Sequence, residues 1–323
     1  MKVDRLDSIR VNGSTQWILV RGEDLQSPLI LHVQAGPGLP IIPEAGAMKR
    51  LFNFEDNYLV AYWDQRACGK SFSNQIDASS INFSQLADDI ISCIGYLLNR
   101  YGKKKAIVVG YSVGATLSLM AAARRPGIFD RLFLVGMDID VPTANQYAME
   151  FAISKAKERN DKRLLRQARM LSKTEITDAS QFQRRAKVLG DLEGIRIGTT
   201  YNRLLLSSMS NMLLSKAYRL SDIPKTIRGM EYCQNALLPE LNTLDLFNKI
   251  KGVEVPLHFV QGRHDGVAPC ETAVKYYDYI QSPLKTFDCF EKSAHMAHYD
   301  EPKKFAILLR ETTQPPHVCK DYA

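Results

Sequence analysis

The chain has 323 residues, 45% of them hydrophobic and 24% charged, with a mean hydropathy of −0.20. That make-up excludes a disordered, collagenous or fibrous chain, and no stretch approaches the roughly 18–20 uninterrupted apolar residues of a membrane span. The formal charge of +7 is unevenly placed: residues 1–140 hold 15 basic and 14 acidic side chains, 256–323 hold 8 and 9, and 141–255 hold 19 and 12. Because the basic excess is spread along helical stretches and interleaved with acids, it predicts a solvated face, not a nucleic-acid groove. Steering of anionic substrates is the alternative. Charged and apolar residues alternate over residues 1–7, so no secretory segment and a cytoplasmic location are expected. The six cysteines are scattered singly, which predicts reduced thiols and neither a disulfide framework nor a zinc site.

Strand-like segments fall at residues 17–21, 29–34, 58–63, 106–111 and 131–137, and those at 29–34 and 106–109 are nearly continuous apolar runs. Between them lie helical patterns at 84–101 and 115–125, the second stopped by Pro126-Gly127. This alternation predicts a mostly parallel sheet covered by helices on both faces. From 141 to 251 the strand signals vanish and helical stretches such as 144–171, 181–190 and 201–214 dominate. Beyond it the first grammar resumes, with a strand at 255–261, a helix at 271–280, a strand at 285–290 and a helix at 302–311. The expected organisation is an α/β core in two parts, 1–140 and 252–311, split by a helical insertion at 141–251. A frayed tail at 312–323 follows.

The strongest chemical signal is Gly110-Tyr111-Ser112-Val113-Gly114, set between a buried strand and a helix. A G-x-S-x-G segment in that position forms a nucleophile elbow, a sharp turn that holds the serine hydroxyl over the sheet edge. A serine needs a base to take its proton and an acid to orient the base, in the chain order Ser, acid, His. Asp265 follows the strand at 255–261, and His295 follows the strand at 285–290. Asp138 and Asp140, just past the strand at 131–137, are rival acids. His264 and His298 are rival histidines, and His298 is expected to enter the next helical turn. His295 and His298 lack the further acid or cysteine a metal site needs, and His32 and His258 read as core residues. Two N–H donors must stabilise the oxyanion, each typically worth roughly 3–4 kcal/mol. Val113 supplies one, and the loop Gln34-Ala35-Gly36-Pro37-Gly38 the other, from Gly36 or from Ala35.

These residues together resemble the α/β-hydrolase superfamily and, within it, the proline iminopeptidase-like (prolyl aminopeptidase) branch. Three segments carry the resemblance: Ala35-Gly36-Pro37-Gly38, Asp64-Gln65-Arg66-Ala67-Cys68-Gly69-Lys70-Ser71, and Ser293-Ala294-His295 through Glu301-Pro302. The resemblance implies a serine hydrolase needing no cofactor, with Ser112 as nucleophile, Asp265 as acid, His295 as base and the helical insertion as a cap. Its substrate would be a small ester, amide or short peptide, with no role for nucleic acid or membrane. Tyr111 and the cap acids Glu193, Glu231 and Glu240 are the candidate substrate contacts. Two departures stand out. Gln34 and Ala35 replace the branch's His-Gly, and both tryptophans, Trp17 and Trp63, lie outside the cap. A carboxylesterase or lactonase is the nearest rival reading, followed by a carrier-dependent acyltransferase or thioesterase and then a non-catalytic binding protein.

Overall fold

Apolar runs that cannot face water on either side become the interior strands of one eight-stranded sheet in the computed structural model, which describes residues 1–313. The strands are β1 (Val3–Val11), β2 (Ser14–Gly22), β3 (Leu29–Val33), β4 (Leu59–Asp64), β5 (Ala106–Tyr111), β6 (Phe129–Val135), β7 (Leu257–Gly262) and β8 (Lys285–Phe290). They lie in the order β1-β2-β4-β3-β5-β6-β7-β8. The β1–β2 and β2–β4 pairs are antiparallel and all others parallel.

Strand β1 lies outside the segments expected from the sequence. It forms an edge of the sheet, where one side meets water, so its apolar residues alternate with charged ones instead of running together. The signal lay in Asn12-Gly13, which turns the chain into β2 with both residues at positive φ (41° and 81°), the pair best suited to a tight hairpin.

Alternate strand residues feed two apolar layers. Leu29 and Leu31 face one, with the helices Phe83–Tyr101 and Val113–Arg124; Ile30 faces the other, with Ala45–Phe52 and Pro302–Thr313. The last helix runs two residues into the segment expected to fray, and the rest of that segment, 314–323, lies outside the described residues.

Between β6 and β7 the chain is helical, a cap inserted into the sheet domain. The stretch expected as one helix over 144–171 is two, Val141–Glu158 and Lys162–Leu171, because Asn160 takes a left-handed conformation and Asp161 caps the second helix. Ala179–Asp191 and Tyr201–Leu214 follow, then Asp222–Leu241, a helix the sequence pattern did not single out. It carries prolines at both ends. Pro224 sits in the first turn, where no intrahelical N–H bond is lost, and Pro239 comes only two residues before the end. The cap has its own small core, including Ala148, Ala152, Leu164, Ala168, Val188 and Leu189.

Cap and sheet are tied through the Asp64–Ser71 segment. Asp64 is buried and accepts from the backbone N–H groups of Ile41, Ile42 and Lys70 and from the Tyr218 hydroxyl of the cap. Lys70 pairs with the cap residue Asp222 at 2.7 Å, both side chains being buried. Arg66 forms a two-pronged pair with Asp89 (2.7 and 2.9 Å). The segment that carries much of the sequence resemblance is thus a structural brace between layers.

Candidate active site

The order of strands turns back between β3 and β5: the chain moves from β3 outward to β4, and from β5 onward in the opposite direction. At such a switch point the loops leaving the strand ends diverge and open a crevice. The loop after β3, residues 34–38, and the turn after β5 meet there. A side chain at Gly114 would run into the carbonyl oxygens of Val33 and Gln34, so only glycine lets the elbow pack this closely on β3.

Ser112 itself is held at φ 51°, ψ −125°, a conformation that non-glycine residues rarely adopt. Its N–H donates to Val135 O at 2.8 Å, and its carbonyl starts the helix Val113–Arg124. The first N–H groups of that helix have no partner within it and carry the positive end of its dipole. Ser112 is 7% exposed, and its hydroxyl donates to Asp138 Oδ2 at 3.1 Å.

The loops after β7 and β8 are zipped together beyond the strands, with His264 N–H donating to Ser293 O at 2.9 Å. The Asp265 carboxylate is fully buried with every oxygen used. Oδ1 accepts from the N–H groups of Val267 and Ala268, and Oδ2 accepts from Gln261 Nε2 and bonds His295 Nδ1, both at 2.9 Å. Gly136, just past β6 at φ 55°, leaves room for the imidazole, since a Cβ there would sit 3.1 Å from His295 Nδ1. The histidine loop is staked from below. Asp300 accepts from Ala294 N–H, and Glu301 accepts from Lys292 N–H and Ser293 Oγ. Cap residues hold both loops: Met296 N–H, after the histidine, donates to Ile195 O, and Gly266 N–H, after the acid, donates to Gly194 O. Among the described residues, no hydrogen bond joins Ser112 to His295.

Burial would lower the His295 pKa, but the charge and hydrogen bond of Asp265, aided by the charge of Asp138, outweigh it, and the net shift is upward from 6.5. Burial raises the Asp138 carboxyl above its ordinary value, against the opposing pull of His295 and the Ser112 hydrogen bond.

The other candidates are engaged elsewhere. The Tyr111 hydroxyl turns into the core and bonds His32 Nδ1 at 2.9 Å. Glu240 accepts from Phe83 N–H at 2.7 Å and so serves the start of a core helix. Glu193 pairs with Arg159 at 2.8 Å beside a cleft of about 340 Å³ that also touches His264 and Lys292. Glu231 is exposed on its helix. Asp140 caps the helix Val141–Glu158 through Thr143 N–H. His298 lies in the short helix Ala297–Asp300, its ring tilted against that of Tyr111 with centroids 4.3 Å apart. His32 is buried and, by burial, held neutral with its pKa down at about 3. Of the oxyanion-loop residues, Ala35 and Gly36 are half-buried, and the Gly36–Pro37 peptide is cis. Just before them the Gln34 amide is buried, with neither polar atom partnered among the described residues.

Sequence reasoning missed Arg185, a cap residue whose charge reaches both Asp138 and His295. The signal was its spacing: it shares the stripe Phe182–Arg185–Val188–Leu189 with apolar residues, where a solvated arginine has no place.

A mostly parallel sheet with an elbow serine after one central strand, and a paired acid and histidine after two others, defines the hydrolase class built on this scaffold. The chain belongs to the family described as the alpha/beta hydrolase fold, whose pattern it matches over residues 43–302. It is 28% identical to a probable aminopeptidase of Bacillus subtilis (strain 168), over 94% of each chain. It is 25% identical to a proline iminopeptidase of Heyndrickxia coagulans, over 87% of this chain and 88% of that one. Among solved structures, a proline iminopeptidase-related protein from Thermus thermophilus superposes with a TM-score of 0.64 at 17% identity, covering 96% of each chain. That last likeness speaks to the fold alone.

Proposed function

We propose that the protein is a serine hydrolase that cleaves a small ester, amide or short peptide by two-step acyl transfer. The observation that carries this reading is the strained Ser112 backbone on the same sheet edge as the 2.9 Å Asp265–His295 pair. Strain of this kind is retained where it exposes a reacting atom.

In the first step the Ser112 hydroxyl leaves Asp138 by rotating about its side-chain bond and donates to His295 Nε2. His295 takes the proton as Oγ attacks the carbonyl carbon, and the negative oxygen is received by the N–H groups of Val113 and of Gly36 or Ala35. Collapse of that intermediate expels the leaving group, which takes the proton from His295. Water then repeats the sequence on the acyl-enzyme. Asp265 holds the imidazole with Nδ1–H towards itself, leaving Nε2 free as base. The hydroxyl's resting hydrogen bond to Asp138 keeps Ser112 in place until a substrate displaces it.

The relatives named as aminopeptidases favour an amine-bearing substrate, but Glu193 and Glu240 are engaged elsewhere and the cap has no tryptophan. These observations favour an ester or amide without a free amino terminus. A fluorophosphonate probe on wild type and Ser112→Ala, with a short-chain 4-nitrophenyl ester and proline 4-nitroanilide as substrates, tests the reading. Labelling of wild type alone with ester turnover is expected. Turnover of the anilide would restore the aminopeptidase assignment, and a folded wild type that neither labels nor turns over would overturn the catalytic reading.

A further inference from the structure

The cap helix Ala179–Asp191 presents Arg185 on its buried side. The residue is 8% exposed, and among the described residues its guanidinium has neither a hydrogen bond nor an ion pair. Its Nε is enclosed with no partner. Its charge nevertheless acts on Asp138, which holds the Ser112 hydroxyl, and on His295, drawing the Asp138 carboxyl down and opposing the upward shift of His295. Burial lowers the guanidinium itself to about 10, so it stays charged at neutral pH.

A buried charge without a partner is costly and persists only where something completes it. Asp138 does not: no ion pair joins it to Arg185, and one of its oxygens is occupied by Ser112. We propose that Arg185 receives a carboxylate carried by the substrate, so that the site is built for anionic esters or amides. The inference rests on the acyl-transfer reading above. A planar guanidinium matches a carboxylate in a two-pronged geometry. A phosphate dianion fits less well, because the Asp138 carboxyl on which Arg185 acts would repel two negative charges more than one. An ammonium group would meet a like charge.

The test compares esters that differ only in a carboxylate. The 4-nitrophenyl monoester of adipic acid is set against 4-nitrophenyl hexanoate for a charge on the acyl side. The hexanoyl ester of 4-hydroxybenzoate is set against phenyl hexanoate for a charge on the leaving group. Wild type is expected to prefer the charged member of one pair by roughly 10- to 100-fold in kcat/KM, mostly through KM, the range for a hydrogen bond to a charged group. Arg185→Met should bring that ratio close to one, and Arg185→Lys should retain part of it. Equal turnover within both pairs by wild type, or an Arg185→Met variant that loses both members equally, would overturn the proposal. Calorimetry with adipate on Ser112→Ala and on Ser112→Ala/Arg185→Met reads binding without chemistry. Adipate binding that depends on Arg185, in a protein whose wild type fails to label, would sink the acyl-transfer reading and leave the anion site standing. No binding in either background, with labelling intact, would sink the anion site alone.

Discussion

Among the described residues two arginines are buried, one in the sheet domain and one in the cap, and the structure treats them in opposite ways. Arg66 is 5% exposed and fully employed: it holds Asp89 through two nitrogens and the Asn12 carbonyl through one of them. Asp89 is shared further with Asn12, Gln16 and Gln85. Arg185, buried to nearly the same degree, has none of this among the described residues. The first pattern is what a fold does to neutralise a charge it must bury. The second is what a binding site does with a charge it keeps for a ligand.

The largest expected effect comes from Ser112, the nucleophile of the proposed reaction. Ser112→Ala should cost on the order of 10³-fold or more in turnover and abolish fluorophosphonate labelling while leaving the melting temperature near that of wild type. Next comes the core pair. Asp89→Ala strands the Arg66 charge, and denaturant unfolding should report a loss of about 3–5 kcal/mol. Arg185→Met should behave in the opposite sense, raising stability by something on the order of 1 kcal/mol because an uncompensated buried charge is removed. Matching losses in these two variants would erase the distinction between the two arginines.

The smallest effects are in pH dependence. The proposed acyl transfer needs neutral His295, so a raised pKa places the acid limb of kcat/KM above pH 6.5, activity falling as pH drops through it. Asp138→Asn removes a charge that raises this pKa and should move the limb down. Arg185→Met removes one that lowers it and should move the limb up. Shifts in the same direction would show that these charges do not act on His295 as the structure implies. The same raised pKa lends the fold stability below about pH 6.5, which fades as pH rises through the folded-state value.

How far the sequence could be read depended on whether a residue's role is set by neighbours along the chain. Ser112 announces itself because the strand, the glycines and the helix that force its conformation are all within a few positions. Asp265 and His295 were legible because each follows a strand directly, and parallel strands deliver their ends to one edge. Asp138 met the same criterion and stood only as a rival acid. Its hydrogen bond to Ser112 depends on β6 lying beside β5. Glu240 misled for the converse reason: nothing near it in sequence reveals that it ends against Phe83 N–H, 157 positions away.

The alternation of buried strands and helices, the helical interruption and the serine–acid–histidine order are properties of local pattern, and the amino-acid sequence determined them by itself. Which arginine is paired within the fold and which is kept for a ligand, and where the cap's acids point, are properties of distance between segments remote along the chain. Tertiary packing decided these, because the balance between the cost of burying a charge and the gain of pairing it depends on which segments come together in space.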